Sequence, residues 1–377
     1  LVDPNSYWEH SPEDMKNFAV VDSFEPGSTL KVIAAAALLE AHPDVLRQKF
    51  RCEGKIEVAD ATIKCTAVHG DLTLDEIIKH SCNAGMIQAV RRLKREELYS
   101  MLRRFGFGRE TGVEMPGESA GLLRGVGEWS GLSRYSLSIG QEISVTSIQM
   151  AAAFGAIANG GVYMAPSIIE SIEADDGSAA RRFSPKSRGR VIRKDIAARL
   201  LDMMKGVVEG GTATRARLAY YEAVGKTGTA QKSMPRGGYH PGKYMASFVG
   251  IAPLDDPDVC ILVLLDEPPE SASGGAVAAP VFARIAERIL PCRGVSKRHV
   301  NAPAPLKGAP REVVARRGQT PDFRGLRLGE AVRALAGLRR DFPIEYSLVG
   351  RGVVRRQSPE PGSPLGHRRK IILYFEE

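Results

Sequence analysis

The chain has 377 residues, of which 43% are hydrophobic and 25% charged, and its formal net charge is +8. These fractions are typical of a soluble globular protein with room for two or three domains. The sequence contains no signal peptide and no run of eighteen apolar residues, which excludes a membrane-spanning helix within it. The positive charge favours contact with an anionic surface. Nucleic acid is not predicted as a partner, because no binding motif with interleaved aromatic residues is present.

The first chemical motif lies in FEPGSTLK, residues 24–31, after predicted surface segments over residues 1–23. The almost unbroken apolar run that follows predicts a helix over about 28–41 that is buried on all sides. Ser28 and Lys31 are three residues apart and therefore share one face of its first turn. A buried lysine that loses its charge can activate a serine nucleophile. The alternative is a serine N-cap followed by a lysine that extends to the surface.

The five cysteines do not form the pattern of a disulfide framework. Cys52 and Cys65 flank a predicted hairpin over residues 56–63, and they either form a disulfide in an oxidising compartment or stay reduced. Cys260 lies within an apolar strand and is predicted to be buried. No spacing of the cysteines resembles a zinc site.

The second motif is Ser81-x-Asn83, which lies between two predicted helices. Thr73 and Glu76 form a capping box that begins the first of these helices. A hydroxyl and an amide two residues apart in a loop can enter one cleft, where Ser81 could relay a proton and Asn83 could hydrogen-bond a lysine or a substrate amide. Ordinary helix capping is the alternative for both residues.

Apolar periodicity and turn residues predict the remaining elements of the first 290 residues. The predicted helices cover residues 96–105, 143–158, 195–208 and 276–290, and the predicted strands cover residues 224–232, 246–252 and 259–266.

The third motif, Lys226-Thr227-Gly228, lies on the first of these strands. Because side chains alternate along a strand, Lys226 faces the same way as Gly228, whose missing side chain lets another backbone lie against the strand. Thr227 and Thr229 can offer hydroxyl groups to a carboxylate beside the lysine ammonium. The alternative is an edge strand weakened by glycine, with a solvated lysine.

After Cys292 the composition changes to a basic segment without periodicity, which is predicted to be a linker over residues 293–317. From about residue 320 the sequence again shows the patterns of regular secondary structure. Leu328, Val332, Leu335 and Leu338 recur at helical spacing, and three short strands are predicted over residues 343–348, 352–357 and 370–375. About sixty residues of this kind form a small, separate α+β module.

Ser28-x-x-Lys31, Ser81-x-Asn83 and Lys226-Thr227-Gly228 are each weak motifs, but in this order they are the signature of penicillin-binding proteins and serine β-lactamases. Residues 1–290 resemble the transpeptidase domain of a class B penicillin-binding protein. The stretches that support this resemblance are 139–141 (IGQ), 146–150 (TSIQM), 158–161 (ANGG), 211–213 (GTA) and 246–250 (ASFVG).

The tail resembles a PASTA domain at residues 321–326 (PDFRGL) and 357–362 (QSPEPG). A transpeptidase followed by a PASTA domain resembles division- and sporulation-type enzymes more than elongation-type ones.

The resemblance implies an α/β (α+β) fold of the penicillin-binding protein and serine β-lactamase type, with a central antiparallel sheet flanked by helices. It implies a transpeptidase domain over 1–292, a linker over 293–317 and an α+β PASTA domain over 318–377. Such proteins carry an N-terminal membrane helix and a pedestal domain, so the chain is expected to be N-terminally truncated. The first strand of the sheet is expected upstream of Leu1. The expected location is the extracytoplasmic face of the bacterial membrane.

The resemblance also implies acyl transfer, in which Ser28 attacks the penultimate D-alanine carbonyl of a peptidoglycan stem peptide and β-lactams acylate the same serine. The implied catalytic residues are Ser28, Lys31, Ser81, Asn83 and Lys226; Thr227, Gly228 and Thr229 bind substrate; and the backbone N–H groups of Ser28 and Thr229 form the oxyanion hole. The implied reaction needs no metal and no cofactor. Division or sporulation proteins are implied as partners. Cys82 departs from the serine or aspartate that is commoner at the middle of the second motif, and its side chain is expected to point away from the cleft.

Three other functions remain open at this point. A serine β-lactamase shares the three motifs, although no base for a hydrolytic water is evident. A non-catalytic sensor would bind β-lactams or muropeptides without transfer. A structural cell-wall-binding protein would use the PASTA domain alone.

Overall fold

The structure is a computed structural model that describes residues 3–11, 15–174, 179–234, 238–268, 273–296, 319–326, 330–332, 334–335, 345–350, 352–364 and 370–376. The chain divides into two compact units, Leu1–Asn301 and Ala302–Glu377. Most of the predicted linker over 293–317 lies outside the described residues. Among the helices that are described, none has the length and apolar character needed to cross a membrane.

The helices of the larger unit are α1 (Phe18–Val21), α2 (Lys31–Ala41), α3 (Leu74–His80), α4 (Asn83–Val90), α5 (Arg95–Arg104), α6 (Ser133–Ser138), α7 (Ser147–Ala158), α8 (Lys194–Gly210), α9 (Gly274–Val277) and α10 (Ala279–Cys292). Its strands are β1 (Ser23–Phe24), β2 (Phe50–Cys52), β3 (Lys55–Val58), β4 (Ala61–Lys64), β5 (Gly70–Leu72), β6 (Val145–Thr146), β7 (Val162–Met164), β8 (Ser171–Glu173), β9 (Ala179–Arg182), β10 (Ser187–Arg190), β11 (Val224–Ser233), β12 (Tyr239–Ala252) and β13 (Val259–Asp266).

The main sheet of the larger unit is antiparallel, in the order β11-β12-β13, with helices on both faces. Ile251 and Cys260 are register partners and share one face, where the Cys260 Sγ donates a hydrogen bond to the Ala151 carbonyl of α7. Phe248 faces the opposite side, and its ring meets that of Phe282 on α10 edge-on at 5.1 Å between centroids. The expected central antiparallel sheet flanked by helices is therefore confirmed.

Helix α2 lies at the centre of the larger unit and packs against α4, α5 and α8. Every residue from Lys31 to Leu39 is buried, as the all-round apolar pattern predicts. The α-helix begins at Lys31 instead of Ser28, because Gly27–Leu30 forms a 3₁₀ turn. Gly27 adopts φ +55°, and its N–H donates to the Gly140 carbonyl at 3.0 Å. This bond anchors the turn that carries Ser28.

The predicted start of α7 is also wrong. The helix predicted from residue 143 begins at Ser147, because the Thr146 hydroxyl caps it by accepting from the Gln149 N–H. The residues immediately before it, Val145–Thr146, pair instead with Ser23–Phe24 as two short strands. The capping box at Thr73, the hairpin of β3 and β4, and strands β11 and β13 agree with the prediction, whereas β12 begins at Tyr239, seven residues before its predicted start.

The smaller unit contains a sheet of β14 (Glu345–Gly350), β15 (Val353–Ser358) and β16 (Lys370–Glu376) in the order β14-β16-β15. Its core includes Phe323 and Leu335, which are fully buried. Gln357 is also buried, and its amide bonds the Phe323 N–H at 2.8 Å and the Pro321 carbonyl at 2.8 Å. Two residues of the predicted helical repeat, Leu328 and Leu338, lie outside the described residues.

Candidate active site

The nucleophile candidate, Ser28, lies on the 3₁₀ turn in front of α2 and is partly exposed. Lys31 is the first residue of α2, and its Nζ lies 2.6 Å from the Ser28 Oγ. One turn of helix separates the two side chains, as their spacing predicts. Ser28 therefore faces the outside while its nearest polar partner is completely buried.

The Lys31 ammonium is surrounded by neutral oxygen atoms. Its Nζ donates to the Asn83 Oδ1 at 2.6 Å, to the Ser81 carbonyl at 3.0 Å and to the Ser81 Oγ at 3.4 Å. Burial lowers the pKa of Lys31 to about 8, although charge on Cys82 and Cys65 opposes this shift. A lysine whose pKa lies near neutral pH is suited to accept a proton from a hydroxyl group.

The second motif is held at the junction of α3 and α4. Ser81 ends α3 in the left-handed conformation, with φ 58°, and its N–H bonds the last turn of that helix. Asn83 begins α4, and its side-chain amide also donates to the Lys64 carbonyl of β4 at 2.9 Å. The helix junction thus points both polar side chains at Lys31.

The third motif reaches the same point from strand β11. Lys226 is completely buried, and its Nζ lies 2.8 Å from the Ser81 Oγ. Burial, followed by the nearby charge of Lys31, lowers the pKa of Lys226 well below its ordinary value. Ser81 therefore lies between two lysines, and the solvated lysine considered from the sequence is wrong.

The rest of the third motif positions the strand against the turn that carries Ser28. A Cβ on Gly228 would lie 2.9 Å from the Pro26 carbonyl, so the backbones approach closely only because residue 228 is glycine. Thr229 is exposed, and a Cβ on Gly27 would lie 3.3 Å from the Thr229 carbonyl. The backbones of the two predicted oxyanion-hole segments are therefore adjacent.

The structure revises the expectations for the cysteines. All five are free, so Cys52 and Cys65 form no disulfide. Cys82 is buried and its Sγ lies 3.7 Å from that of Cys65, so it turns towards the hairpin. Although no spacing of the cysteines resembles a zinc site, Cys52, Cys65, His69 and Cys82 place their ligand atoms within 4.8 Å of one another. Cys52 and Cys82 each lie thirteen positions from the nearest other member of the group, so the spacing alone does not reveal it.

A family model described as the penicillin-binding protein transpeptidase domain matches residues 2–287. The chain belongs to the penicillin-binding protein transpeptidase family. A PASTA domain model matches residues 318–377. The resemblance inferred from the three motifs and the tail is confirmed.

Relatives and solved structures of penicillin-binding proteins agree with this assignment. The chain is 32% identical to stage V sporulation protein D of Bacillus subtilis over 100% of its own length and 57% of that protein. It is 39% identical to PbpB of Mycolicibacterium smegmatis over 73% of its own length and 44% of that protein. The chain thus spans about half the length of these curated relatives.

Among solved structures, penicillin-binding protein 3 of Mycobacterium tuberculosis in its apo form aligns with a TM-score of 0.71 and 35% identity, covering 78% of this chain and 68% of that one. The same protein complexed with aztreonam aligns with a TM-score of 0.70 and 35% identity, with the same coverage. This likeness agrees with the expected transpeptidase fold.

Two residues outside the three motifs also contact this site. Thr212 lies in the loop after α8, and its Oγ1 is 2.8 Å from the Thr227 Oγ1. The Gly274 N–H, at the start of α9, donates to the Thr229 Oγ1 at 3.2 Å. Thr212 belongs to the GTA stretch that supported the resemblance, whereas no sequence signal identified Gly274.

Proposed function

We propose that this chain is the catalytic part of a peptidoglycan D,D-transpeptidase that cross-links stem peptides through an acyl-enzyme on Ser28. The observation that carries the proposal is the convergence on Ser81 of Lys31 and Lys226, with the Ser28 Oγ 2.6 Å from the Lys31 Nζ. The names of relatives support it, since several of them are D,D-transpeptidases, among them a probable enzyme, PenA, of Neisseria meningitidis.

In the proposed first step, neutral Lys31 takes the proton of the Ser28 hydroxyl as its oxygen attacks the carbonyl carbon of the penultimate D-alanine. Lys31 is suited to this role because burial lowers its pKa to about 8. The negative charge that develops on the carbonyl oxygen is bound by the backbone N–H groups of Ser28 and Thr229. Their segments are adjacent, as the close approach of Gly27 to the Thr229 carbonyl indicates.

In the proposed second step, the bond between the carbonyl carbon and the terminal D-alanine nitrogen breaks. Ser81 passes a proton to that nitrogen, because its hydroxyl lies 3.4 Å from the Lys31 Nζ and 2.8 Å from the Lys226 Nζ. Asn83 holds Lys31 in place through a 2.6 Å hydrogen bond. The products are free D-alanine and an ester on Ser28.

Substrate recognition is proposed for the third motif. The Lys226 ammonium and the hydroxyls of Thr227 and Thr229 lie along one strand and bind the terminal carboxylate, while Gly228 keeps this strand close to the turn that carries Ser28. A β-lactam carries a comparable carboxylate next to a reactive amide. It would acylate Ser28 and deacylate slowly. An amine of a second stem peptide then attacks the Ser28 ester, releases the serine and completes the cross-link.

The domain boundaries, the cellular location and the partners of the protein are part of the same proposal. We infer that the transpeptidase domain covers residues 1–292, the linker 293–317 and the PASTA domain 318–377. The protein acts at the extracytoplasmic face of the cell membrane, anchored by a helix outside this sequence. Its partners belong to the division or sporulation machinery, which is supported by the sporulation relative in Bacillus subtilis.

The proposal is tested by labelling the purified chain with a fluorescent penicillin and mapping the adduct by mass spectrometry. Ser28→Ala is expected to abolish labelling, because it removes the hydroxyl that is the proposed nucleophile. Lys31→Met is expected to slow acylation by about 10²- to 10⁴-fold through loss of the base. Ser100→Ala, which changes an exposed serine on α5, is the matched control and should label normally.

Transfer is distinguished from related activities with a donor peptide that ends in D-Ala-D-Ala and an added amine acceptor. A transpeptidase forms the amide product. Labelling that persists in Ser28→Ala rules out Ser28 as the nucleophile. Acylation without amide formation indicates a sensor, and rapid hydrolysis of a chromogenic cephalosporin indicates a β-lactamase.

A further inference from the structure

Four potential metal ligands converge beside the second motif, one of them between its Ser81 and Asn83. They come from four places in the chain: Cys52 ends β2, Cys65 follows β4, His69 precedes β5 and Cys82 is the N-cap of α4. Cys52 and Cys82 are fully buried, and Cys65 and His69 are partly buried. Their ligand atoms all lie within 4.8 Å of one another.

The distances within this cluster match those expected of a tetrahedral site. With zinc–sulfur bonds of about 2.3 Å and zinc–nitrogen bonds of about 2.0 Å, two sulfur ligands lie about 3.8 Å apart, and a sulfur and a nitrogen lie about 3.5 Å apart. The Cys65 and Cys82 Sγ atoms are 3.7 Å apart, and the Cys52 Sγ is 3.4 Å from the His69 Nδ1. A disulfide would require about 2.05 Å between the sulfur atoms.

Backbone N–H groups already point at two of the sulfur atoms. The Ala84 N–H donates to the Cys65 Sγ at 3.2 Å, and the Gly85 N–H donates to the Cys82 Sγ at 3.3 Å. Both groups belong to the first turn of α4, where free backbone donors favour negative charge. Hydrogen bonds of this kind orient and stabilise thiolate ligands in metal sites.

The types of ligand atom also indicate which metal ion the cluster would bind. Three thiolates and one imidazole in a tetrahedron suit zinc, whereas calcium and magnesium require oxygen ligands. Four protein ligands fill the coordination of zinc and leave no position for a reacting water, which is the arrangement of structural zinc sites.

We propose that Cys52, Cys65, His69 and Cys82 bind one structural zinc ion, which ties the β3–β4 hairpin to the junction of α3 and α4. Because Cys82 lies between Ser81 and Asn83, the ion fixes the segment that presents both residues. The Asn83 amide reaches the same hairpin through the Lys64 carbonyl at 2.9 Å. The metal therefore takes no part in the acyl-transfer chemistry, and its presence is measurable without any assay of activity.

The proposal is tested by measuring the metal content of the chain after purification under reducing conditions without chelators. We expect about one zinc per chain. Replacement of zinc by Co²⁺ is expected to give the intense thiolate-to-cobalt absorption and the visible bands of a tetrahedral site. Zinc addition to the chelator-treated chain should protect three thiols from alkylation, and peptide mapping should identify them as Cys52, Cys65 and Cys82.

Single substitutions distinguish cysteines that bind zinc in the cluster from cysteines outside it. Cys52→Ser and Cys65→Ser are expected to lower zinc affinity at least 100-fold, whereas Cys292→Ser, which changes an exposed cysteine outside the cluster, should retain full zinc. If the cluster variants do not fold, cobalt spectra and thiol protection of the unchanged chain still decide the question.

Two results would overturn the proposal. One is a reduced, folded chain that contains no zinc and takes up neither zinc nor cobalt. The other is a native Cys65–Cys82 disulfide whose reduction creates no zinc-binding capacity.

Discussion

The two buried lysines of the site differ in their surroundings, although both bond the same serine. Lys31 has Ser28, Ser81 and Asn83 as partners, whereas Lys226 bonds Ser81 and its own neighbour Thr227. Within the described part of the chain, no carboxylate forms an ion pair with either lysine. Desolvation therefore lowers both pKa values without a carboxylate to oppose it, although charge on Cys82 and Cys65 opposes the shift at Lys31.

The lowered pKa of Lys31 predicts how the rate of acylation depends on pH. Lys31 must be neutral to accept the Ser28 proton, and its pKa is lowered to about 8. The groups that face it are Lys226, whose charge would lower this pKa further, and Cys65 and Cys82, whose thiolates would raise it. The acylation rate is expected to rise about tenfold per pH unit below pH 8 and to level off above it. The measurement is the second-order rate of penicillin acylation between pH 6 and 10, with folding monitored in parallel, and a flat profile would exclude Lys31 as the base.

At the scale of elements, the site depends on how closely strand β11 approaches the turn in front of α2. A Cβ on Gly228 would lie 2.3 Å from the Ser247 Oγ, 2.9 Å from the Pro26 carbonyl and 3.2 Å from the Thr29 Cγ2. The serine side chain can rotate away, but the Pro26 backbone cannot. A larger residue therefore has to separate the strand from the turn.

Gly228→Ala is accordingly expected to slow penicillin acylation by about 10²-fold, because a displacement near 1 Å misplaces the reacting groups. It should also lower the free energy of unfolding by about 1–3 kcal/mol through overpacking. Gly155→Ala is the matched control: it lies within α7, where an added Cβ meets nothing within 4 Å, and it should leave acylation unchanged. Equal acylation by the two variants would show that close approach at residue 228 is not required.

Helices and strands could be predicted from the sequence where a short stretch of neighbouring residues determines them. The apolar run of α2 required burial, and the Thr73–Glu76 pair marked the start of α3. The start of α7 was misjudged because residues 143–146 continue its apolar pattern, while their pairing with β1 depends on a distant segment. Contacts of this kind leave no periodicity in the chain.

For the whole molecule, the order of the three motifs indicated the transpeptidase fold before any geometry was known. The motifs did not indicate the packing that completes the site, such as the Gly274 N–H at Thr229. The cluster of Cys52, Cys65, His69 and Cys82 could not be predicted from the motifs either. Twelve residues separate Cys52 from Cys65, and twelve separate His69 from Cys82. Folding brings such ligands together through the pairing of β2 with β5, which a spacing rule does not capture.

The buried pair of lysines has a consequence for the heat of ligand binding. Because the pKa of Lys226 is lowered in the free protein, a carboxylate ligand that approaches it should raise this pKa again and draw a proton from the buffer. Calorimetric titration of the Ser28→Ala variant with penicillin should therefore give different enthalpies in phosphate and in Tris, and Lys226→Met should remove the difference. Identical enthalpies in the two buffers would mean that Lys226 is already protonated before the ligand arrives.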